Sequence, residues 1–562
     1  MKPSNRPAVG LAALLGTLAG VFFLHYYIGH EDPAYPWDWG GYYRLYQDSA
    51  KLLLSGDLLW LPSIFHSILS DDYNASSIAP LFPFYAVFGD ARFGYVLAVF
   101  LTYLLPTAII TTILSRQAID RDGASSPSAT IEILWIGAAA LLFPAFWAPT
   151  IRGMPDIAGL VPLGLATILA TRGDFLTRPL VRTAIHIGVL LWLAFLLRRW
   201  YAFATVGFVV TAVGFSTLQI LRAPRPWPAL MAALRAYGAM AGIIAFLLLA
   251  FQSQLVLRIL TTSYADEYAA YQRPLADQFF MLYERFGNVF CLLALAGVVL
   301  ALMRRNASVI FCALAAVLTF AIFSRTQAPG LHHTLPIFLW LFVAAIYPLG
   351  VLFRRLPAAA RLPAALAAGL WAGLSFGSVF VPEVRAATAW AAPVVPRLTI
   401  YPLKLGNLSE YRRLIAAIKA LQPPTAMVAA YGSGDSFSDA LLSALDRSLE
   451  PRLSWIGHVD SRDRMRLGPL RAPYAVVADP VPRHLPTGTQ EVVRVPAESI
   501  LGGADLGSGY EKIDGPFVLD ETHKAYIFHR KRDLSDEDIS WLQAKLRQSY
   551  PAWTWNGADA IK

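Results

Sequence analysis

Long apolar runs alternate with short polar connectors over the first 381 residues, and the pattern then changes character. The apolar blocks lie near 8–28, 93–115, 132–148, 157–171, 183–197, 201–221, 236–253, 288–303, 308–323, 334–352 and 364–381. Each approaches the length a helix needs to cross a hydrocarbon layer of roughly 30 Å. The pattern therefore predicts eleven spans. The first run stands behind Lys2 and Arg6 and continues into His25, Tyr26 and Tyr27, with no small-residue cleavage site after it. It predicts an uncleaved helix rather than a signal peptide. Residues 183–221 read as a hairpin turning at Arg198 and Arg199, because one continuous helix would be nearly twice the thickness of the hydrocarbon layer.

Two stretches do not follow the span pattern. Residues 30–90 are too long for a simple connector. Within them, 42–54 predicts an amphipathic surface helix with Tyr43, Tyr46, Ala50 and Leu53 or Leu54 at helical spacing. From 382 onward the chain is mixed and polar. Residues 408–421 predict a helix, "TAMVAAYGSGD" a strand entering a glycine turn, 437–447 a second helix and "APYAVVADP" a buried strand. The expected fold class is an α-helical polytopic membrane protein with a C-terminal α/β domain. Residues 1–381 form the transmembrane unit, with 30–90 as its first outer loop. Residues 382–562 form the tail domain, entered through a Pro- and Ala-rich linker at 386–396.

Composition agrees with this layout. Of 562 residues, 56% are hydrophobic and only 15% charged, against roughly a quarter charged in soluble proteins. The basic residues explain the orientation. Arg116, Arg121, Arg172, Arg178, Arg182, Arg222, Arg225, Arg235, Arg304, Arg305, Arg354, Arg355 and Arg361 fall in alternate connectors, where acids are few (Asp120, Asp122 and Asp174). The other connectors carry Glu31, Asp32, Asp38, Asp48, Asp57, Asp71, Asp72 and Asp90, then Asp266, Glu267, Asp277 and Glu284. The positive-inside rule puts the N-terminus in the cytoplasm and the tail outside, which in a bacterium is the periplasmic side of the inner membrane. The net charge of +9 thus reflects membrane orientation. No basic stretch has the aromatic interleaving of a nucleic-acid site. Cys291 and Cys312 both lie in apolar blocks, so the tail holds no disulfide and no Cys/His metal cluster.

Several polar residues on the outer side carry chemical potential. Asp38 stands between Trp37 and Trp39 in "YPWDWGGYYR", with Tyr42 and Arg44 just after it. A carboxylate among aromatics near a lipid interface suits a general base, since partial burial raises its pKa. It would equally serve to cap the following helix. In "RGMPDIAG", Asp156 opens the fourth helical block beside Arg152, and helix capping and substrate contact are compatible there. Arg198 and Arg199 follow a block of about 22 Å, which sets them slightly below the outer surface. Charge at that depth faces a cavity or a partner; lipid phosphate is such a partner for at least one of the two, and the alternative is snorkelling to the outer headgroups. In "SRTQAPGLHHTLP", Arg325, His332 and His333 line an outer connector. Neighbouring histidines point about 100° apart on a helix, which argues against a two-His zinc site. Loop 254–287 adds Tyr264, Glu267 and other aromatics and acids, a set that suits sugar contacts or an interfacial belt. "YGSGDSFSD" lacks both a dinucleotide fingerprint and a Walker lysine. It reads as a tight turn with Asp435 or Ser436 near a helix cap.

A long first outer loop after one N-terminal span, with an acid near its start and a surface helix after it, resembles the GT-C superfamily of membrane glycosyltransferases. These include protein O-mannosyltransferases and bacterial aminoarabinose and arabinosyl transferases. The resemblance covers residues 1–381. It implies a sugar donor linked to polyprenyl phosphate, an outer-face reaction, and a glycan, lipid or protein acceptor. Asp38 matches the first-loop carboxylate that acts as the family's base, although Trp39 stands where many relatives carry a second acid. By the same resemblance Arg325 and His332 would contact the donor phosphate, joining Arg198 and Arg199, whose depth already makes them candidates for it. Tyr42, Arg44, Asp71, Asp72, Arg152, Asp156, Tyr264 and Glu267 are the candidate substrate contacts. No cofactor is required. A divalent metal would have Asp38, Asp71 and Asp72 as its carboxylates, but some relatives work without one and no metal is assigned. The rival readings are a transporter or flippase of lipid-linked glycans, which predicts polar groups at mid-span, and a non-catalytic envelope scaffold.

Overall fold

A computed structural model describes residues 6–122, 128–173, 175–555, 557 and 559–561. Lys2 and Asp174, which entered the charge argument, lie outside the described residues. The chain forms two compact units. One comprises Met1–Gly29, Tyr42–Thr262 and Arg273–Tyr401. The other joins Pro402–Lys562 to two distant segments, His30–Gly41 and Ser263–Gln272.

The first unit is helical, and each predicted apolar block folds as helix. Among the described residues, five helices are long and apolar enough to cross a membrane: Arg92–Asp120, Tyr201–Arg222, Pro226–Phe251, His332–Arg355 and Ala358–Phe380. Two bent pairs raise the number to seven. Ala129–Leu141 and Pro144–Ile151 meet at 43°, and Leu275–Phe286 and Asn288–Arg304 at 102°. Gly287 makes the sharper corner with φ of +76°, a region open to glycine at no steric cost. The remaining apolar helices, among them Val181–Leu197 and Ala307–Phe323, are shorter. The hairpin predicted over 183–221 is present. Val181–Leu197 ends at Arg198, whose extended backbone (φ −155°, ψ 116°) breaks the helix before Tyr201–Arg222 begins. The surface helix starts earlier than predicted and runs Trp37–Leu54, with Tyr42, Tyr46 and Ala50 buried.

Aromatic packing holds the helices together. Trp147 lies 5.1 Å from Phe23, 5.2 Å from Phe100 and 5.4 Å from Phe376. Phe143 stacks on Phe290 at 4.8 Å and meets Phe342 at 5.2 Å. At one end of the bundle the arginines of the predicted inner connectors find acids. Glu132, fully buried, accepts from Arg354 Nε at 2.8 Å and Nη2 at 2.7 Å, and from Arg116 Nε at 3.2 Å. Arg354 also pairs with Asp120. Asp122 accepts from Arg304 and Tyr347, each at 2.7 Å. Removing one member of such a set leaves an uncompensated buried charge, so the cluster fixes these helices in register.

The second unit is a three-layer α/β/α domain. Its strands are β1 (Val428–Tyr431), β2 (Leu453–Ser454), β3 (Met465–Arg466), β4 (Tyr474–Asp479), β5 (Tyr510–Val518), β6 (Lys524–Arg530) and β7 (Ala560–Ile561). The main sheet has the order β2-β1-β4-β6-β5. Strand β1 is parallel to β2 and β4, while β6 is antiparallel to β4 and β5. Strand alternation separates the two faces. Val428, Ala430 and Val476 pack with Tyr411, Leu414 and Ile418 of helix Leu408–Ala420. Ala429, Tyr431, Ala475 and Val477 pack with Val492, Val493, Leu542 and Leu546 of helices Glu491–Gly502 and Asp536–Ser549. The helix after the glycine turn, Asp439–Leu445, is capped by Ser438, whose hydroxyl accepts from Leu441 N. That corrects the expectation of Asp435 or Ser436, which lie upstream on an isolated bridge between Ser433 and Ser438. Segment His30–Gly41 is strapped on by backbone. Asp32 N donates to Leu403 O at 2.8 Å, and the Asp32 carboxylate accepts from Leu405 N at 2.8 Å.

Candidate functional site

In the helical unit the sequence-predicted polar residues converge around Asp156. This carboxylate is fully buried and follows Pro155 in the 3-10 turn Pro155–Gly159. The N-cap positions of this turn and of the following helix Leu160–Arg172 are Met154 and Gly159, not Asp156, so the cap reading is corrected. Asp156 Oδ1 instead accepts from Arg198 Nε at 2.8 Å, Arg198 Nη2 at 2.8 Å and Trp200 Nε1 at 2.9 Å. Its carbonyl accepts from Tyr201 Oη at 2.9 Å. Gly159 makes room for that tyrosine, because a Cβ there would stand 2.6 Å from the Tyr201 ring.

The Arg198 side chain is 4% exposed and lies 5.0 Å from the ring centres of both Tyr42 and Tyr73. Such cation–π contacts are worth about 2 kcal/mol when desolvated. Its neighbour Arg199 pairs with Asp72 at 3.1 Å, and Arg258 reaches the same carboxylate at 3.9 Å. The first loop is tied to the end of helix Val181–Leu197, where Leu196 O accepts from Asn74 Nδ2 and Ser76 Oγ, each at 2.9 Å. The Trp200 ring meets His333 at 5.4 Å and His332 at 6.2 Å. Arg285 is buried and donates to Pro329 O at 2.8 Å and Gly330 O at 3.2 Å, just before those histidines. The cluster thus brings the buried Arg198 and the half-buried Arg199 together with Asp156 and Asp72 at the end of helix Val181–Leu197.

Other predicted residues stand around or apart from this cluster. Arg152 O accepts from Arg92 Nη2 at 2.8 Å, and Arg152 Nη2 donates to Tyr401 O at 3.4 Å. Asp71 caps the end of helix Trp60–Ser70 and accepts from Ser70 Oγ at 2.8 Å. Arg44 is half-buried on helix Trp37–Leu54. Arg325 is exposed, and among the described contacts none joins it to Asp156 or Arg198. Sequence reasoning passed over Trp200, Tyr73, Arg258, Arg285 and Glu132. The position of Trp200 directly after the arginine pair, and the lone acid Glu132 at the head of an apolar block, were the available signals.

Asp38, Tyr264 and Glu267 belong to the second unit. Asp38 is half-buried in the first turn of its helix, where a carboxylate is favoured by the helix dipole. The residue before it, Trp37, has φ of +51°, a strained value for a bulky side chain. The Trp37 ring lies 5.2 Å from His484. Tyr271 Oη is 3.1 Å from His484 Nε2, and burial pushes the Tyr271 phenol up to about 12, so it stays a donor at neutral pH. Ser461 Oγ donates to Glu267 O at 2.7 Å, and Arg462 lies 6.0 Å from the Tyr268 ring centre. Tyr264 stacks on Tyr268 at 6.4 Å.

A Ser–His–Asp arrangement stands behind His484. Ser433 Oγ is 2.8 Å from His458 Nδ1, and His458 Nε2 is 2.8 Å from Asp439 Oδ1. It is not built as a nucleophile. Ser433 is fully buried, accepts from Gln490 Nε2 at 2.9 Å, and its backbone N–H is already given to Pro482 O at 2.8 Å. That leaves neither access nor an oxyanion donor at this residue.

Comparison with solved structures places the fold. ArnT from Cupriavidus metallidurans in the apo state matches with a TM-score of 0.51 at 13% identity, over 92% of this chain and 97% of that chain. The same protein bound to undecaprenyl phosphate gives 0.46 at 13% identity over the same shares. The archaeal oligosaccharyltransferase AglB from Archaeoglobus fulgidus, in complex with an inhibitory peptide and a dolichol-phosphate, gives 0.35 at 12% identity, over 79% and 64%. No family model and no curated protein matches the chain. The likeness to apo ArnT establishes the fold as ArnT-like, and the expected class of helical membrane protein with a small C-terminal sheet domain holds.

Proposed function

We propose that this chain is an inverting glycosyltransferase. It moves a sugar from a polyprenyl-phosphate donor to a cell-envelope glycan, lipid or protein, on the periplasmic face of a bacterial inner membrane. The observation that carries this reading is the buried Arg198 guanidinium held by Asp156, with Arg199 beside it, in a chain of ArnT-like fold. Guanidinium matches phosphate oxygens in pairs. Arg198 is fixed by Asp156 on one edge and flanked by Tyr42 and Tyr73. A cation held this way stabilises charge on the departing phosphate without reorganising during the reaction.

Asp156 is not the base, because it is fully buried and spent on Arg198 and Trp200. The proposed base is Asp38. It takes the proton of an acceptor hydroxyl as that oxygen attacks the anomeric carbon. The bond from carbon to phosphate oxygen breaks, and the polyprenyl phosphate leaves with the electron pair. Phosphate leaves readily, so no acid is needed to protonate it. Attack opposite the leaving group inverts the anomeric centre. Arg199 and His332 are assigned to the donor phosphate, and Tyr42, Arg44, Arg152, Tyr264 and Glu267 to sugar and acceptor contacts. Stereochemistry tests the reading. Purified protein given an isotopically labelled polyprenyl-phosphate sugar should yield product of inverted configuration by NMR. A retained configuration would demand a covalent intermediate and remove Asp38 from the role of base.

A further inference from the structure

The second unit carries a feature that this mechanism does not use. His484 touches both segments that reach it from the helical part of the sequence. Its ring meets Trp37, next to Asp38, at 5.2 Å, and its Nε2 meets Tyr271 Oη at 3.1 Å. His484 Nδ1 stands 2.9 Å from both Ser433 O and Ser433 Oγ and 3.2 Å from Gln490 Nε2. The carbonyl only accepts, so a hydrogen on Nδ1 satisfies it and leaves Nε2 to accept from the Tyr271 hydroxyl. His458 Nε2 faces the Asp439 carboxylate and must donate to it, so His458 Nδ1 accepts from Ser433 Oγ–H. Gln490 Nε2 spends its two hydrogens on Ser433 Oγ at 2.9 Å and His458 O at 2.7 Å. Every donor in this chain, from Asp439 to Tyr271, therefore has an acceptor. Fully satisfied polar networks of this kind are rigid. Around it, Ala270 and Tyr271 pack on Val459 and Leu485.

We infer that His484, backed by the Ser433–His458–Asp439 chain, is a positioning residue that seats the Trp37–Asp38 turn and the 263–272 segment together on the C-terminal domain. The tail is then part of the catalytic apparatus, because it holds the strained turn that presents the base. The inference rests on the glycosyltransferase reading for its consequence, but its geometry can be tested without turnover.

The experiment is hydrogen–deuterium exchange on the full-length protein in detergent, with steady-state kinetics alongside. Losing one hydrogen bond corresponds to about a tenfold rise in local opening. His484→Ala should raise exchange several-fold in both 35–41 and 264–272 while β1 and β4 stay protected. Its kcat should fall with the donor KM unchanged. Tyr271→Phe removes one hydroxyl and should raise exchange in 264–272 alone. Unchanged exchange in both segments of His484→Ala, or a rise in only one, overturns the inference. If His484→Ala does not accumulate, Tyr271→Phe decides, and wild-type exchange in 264–272 overturns it. Increased exchange in both segments, in a protein whose Asp38→Asn variant keeps full activity, would sink the base assignment and leave the seat standing.

Discussion

Asp156→Asn is the most informative single substitution. The amide keeps the shape and an acceptor for Trp200 Nε1, but it withdraws the charge that balances Arg198. Both partners are nearly fully buried, at 0% and 4% exposure. Deleting one member of such a pair costs about 3–5 kcal/mol, because the other charge is left uncompensated. Replacing both by apolar groups of similar size is often close to neutral. Asp156→Leu with Arg198→Met should thus regain most of the stability that Asp156→Asn loses. Donor use should separate from stability. Asp156→Asn retains the guanidinium and should still bind the donor at low temperature, whereas the double variant should bind it at least tenfold more weakly. Thermal denaturation in detergent gives the first quantity, and titration with a polyprenyl-phosphate sugar gives the second. A double variant that is stable and binds donor as the wild type does would refute the phosphate role of Arg198. An Asp156→Asn protein as stable as wild type would refute the buried pair itself.

Three further outcomes follow from particular contacts. Asp460 in the tail is buried and accepts from Tyr550 Oη at 2.5 Å and Val492 N at 3.2 Å, and desolvation pushes its carboxyl up to about 7. The folded state then holds a proton that the unfolded state releases near pH 4, so unfolding free energy falls as pH rises from about 4 to about 7, by roughly 4 kcal/mol at most. Asp460→Asn should abolish that slope in local exchange at 459–463, and an unchanged slope would exclude Asp460 as its source. Gly159→Ala drives a Cβ to 2.6 Å from the buried Tyr201 ring. It should cost about 1–3 kcal/mol by overpacking, seen as a lower melting temperature, and a neutral effect would mean that the ring can move aside. Arg325 is exposed, so Arg325→Ala should leave stability within about 0.5 kcal/mol of wild type and the donor KM unchanged. A several-fold rise in that KM would return Arg325 to the phosphate site.

Much of the fold was legible because the membrane imposes simple rules. Backbone must be satisfied within each span, so apolar blocks became helices, and the arginine pair at 198–199 ended one. The strands at "TAMVAAYGSGD" and "APYAVVADP" were legible as well. Pairings between distant residues were not legible. Asp156 and Arg198 are 42 positions apart, and Glu132 and Arg354 are 222 apart. No local periodicity marks such partners. Asp156 looked like a helix cap because Pro155 precedes it, and the competition was won by a buried guanidinium. The packing of 30–41 and 263–272 with the tail had no signal at all, since their contacts are with residues such as His484 and Ser461 far downstream.

The central claim is that a sugar leaves polyprenyl phosphate with Asp38 as base. Its most direct measurement is single-turnover transfer from a labelled polyprenyl-phosphate sugar, comparing wild type with Asp38→Asn in the same membrane mimetic. The account predicts that both proteins bind the donor with similar affinity, and that Asp38→Asn transfers at least a hundredfold more slowly, as expected when a general base is removed. Transfer at the wild-type rate by Asp38→Asn, or donor that the wild type binds but never turns over with any envelope acceptor, would contradict it.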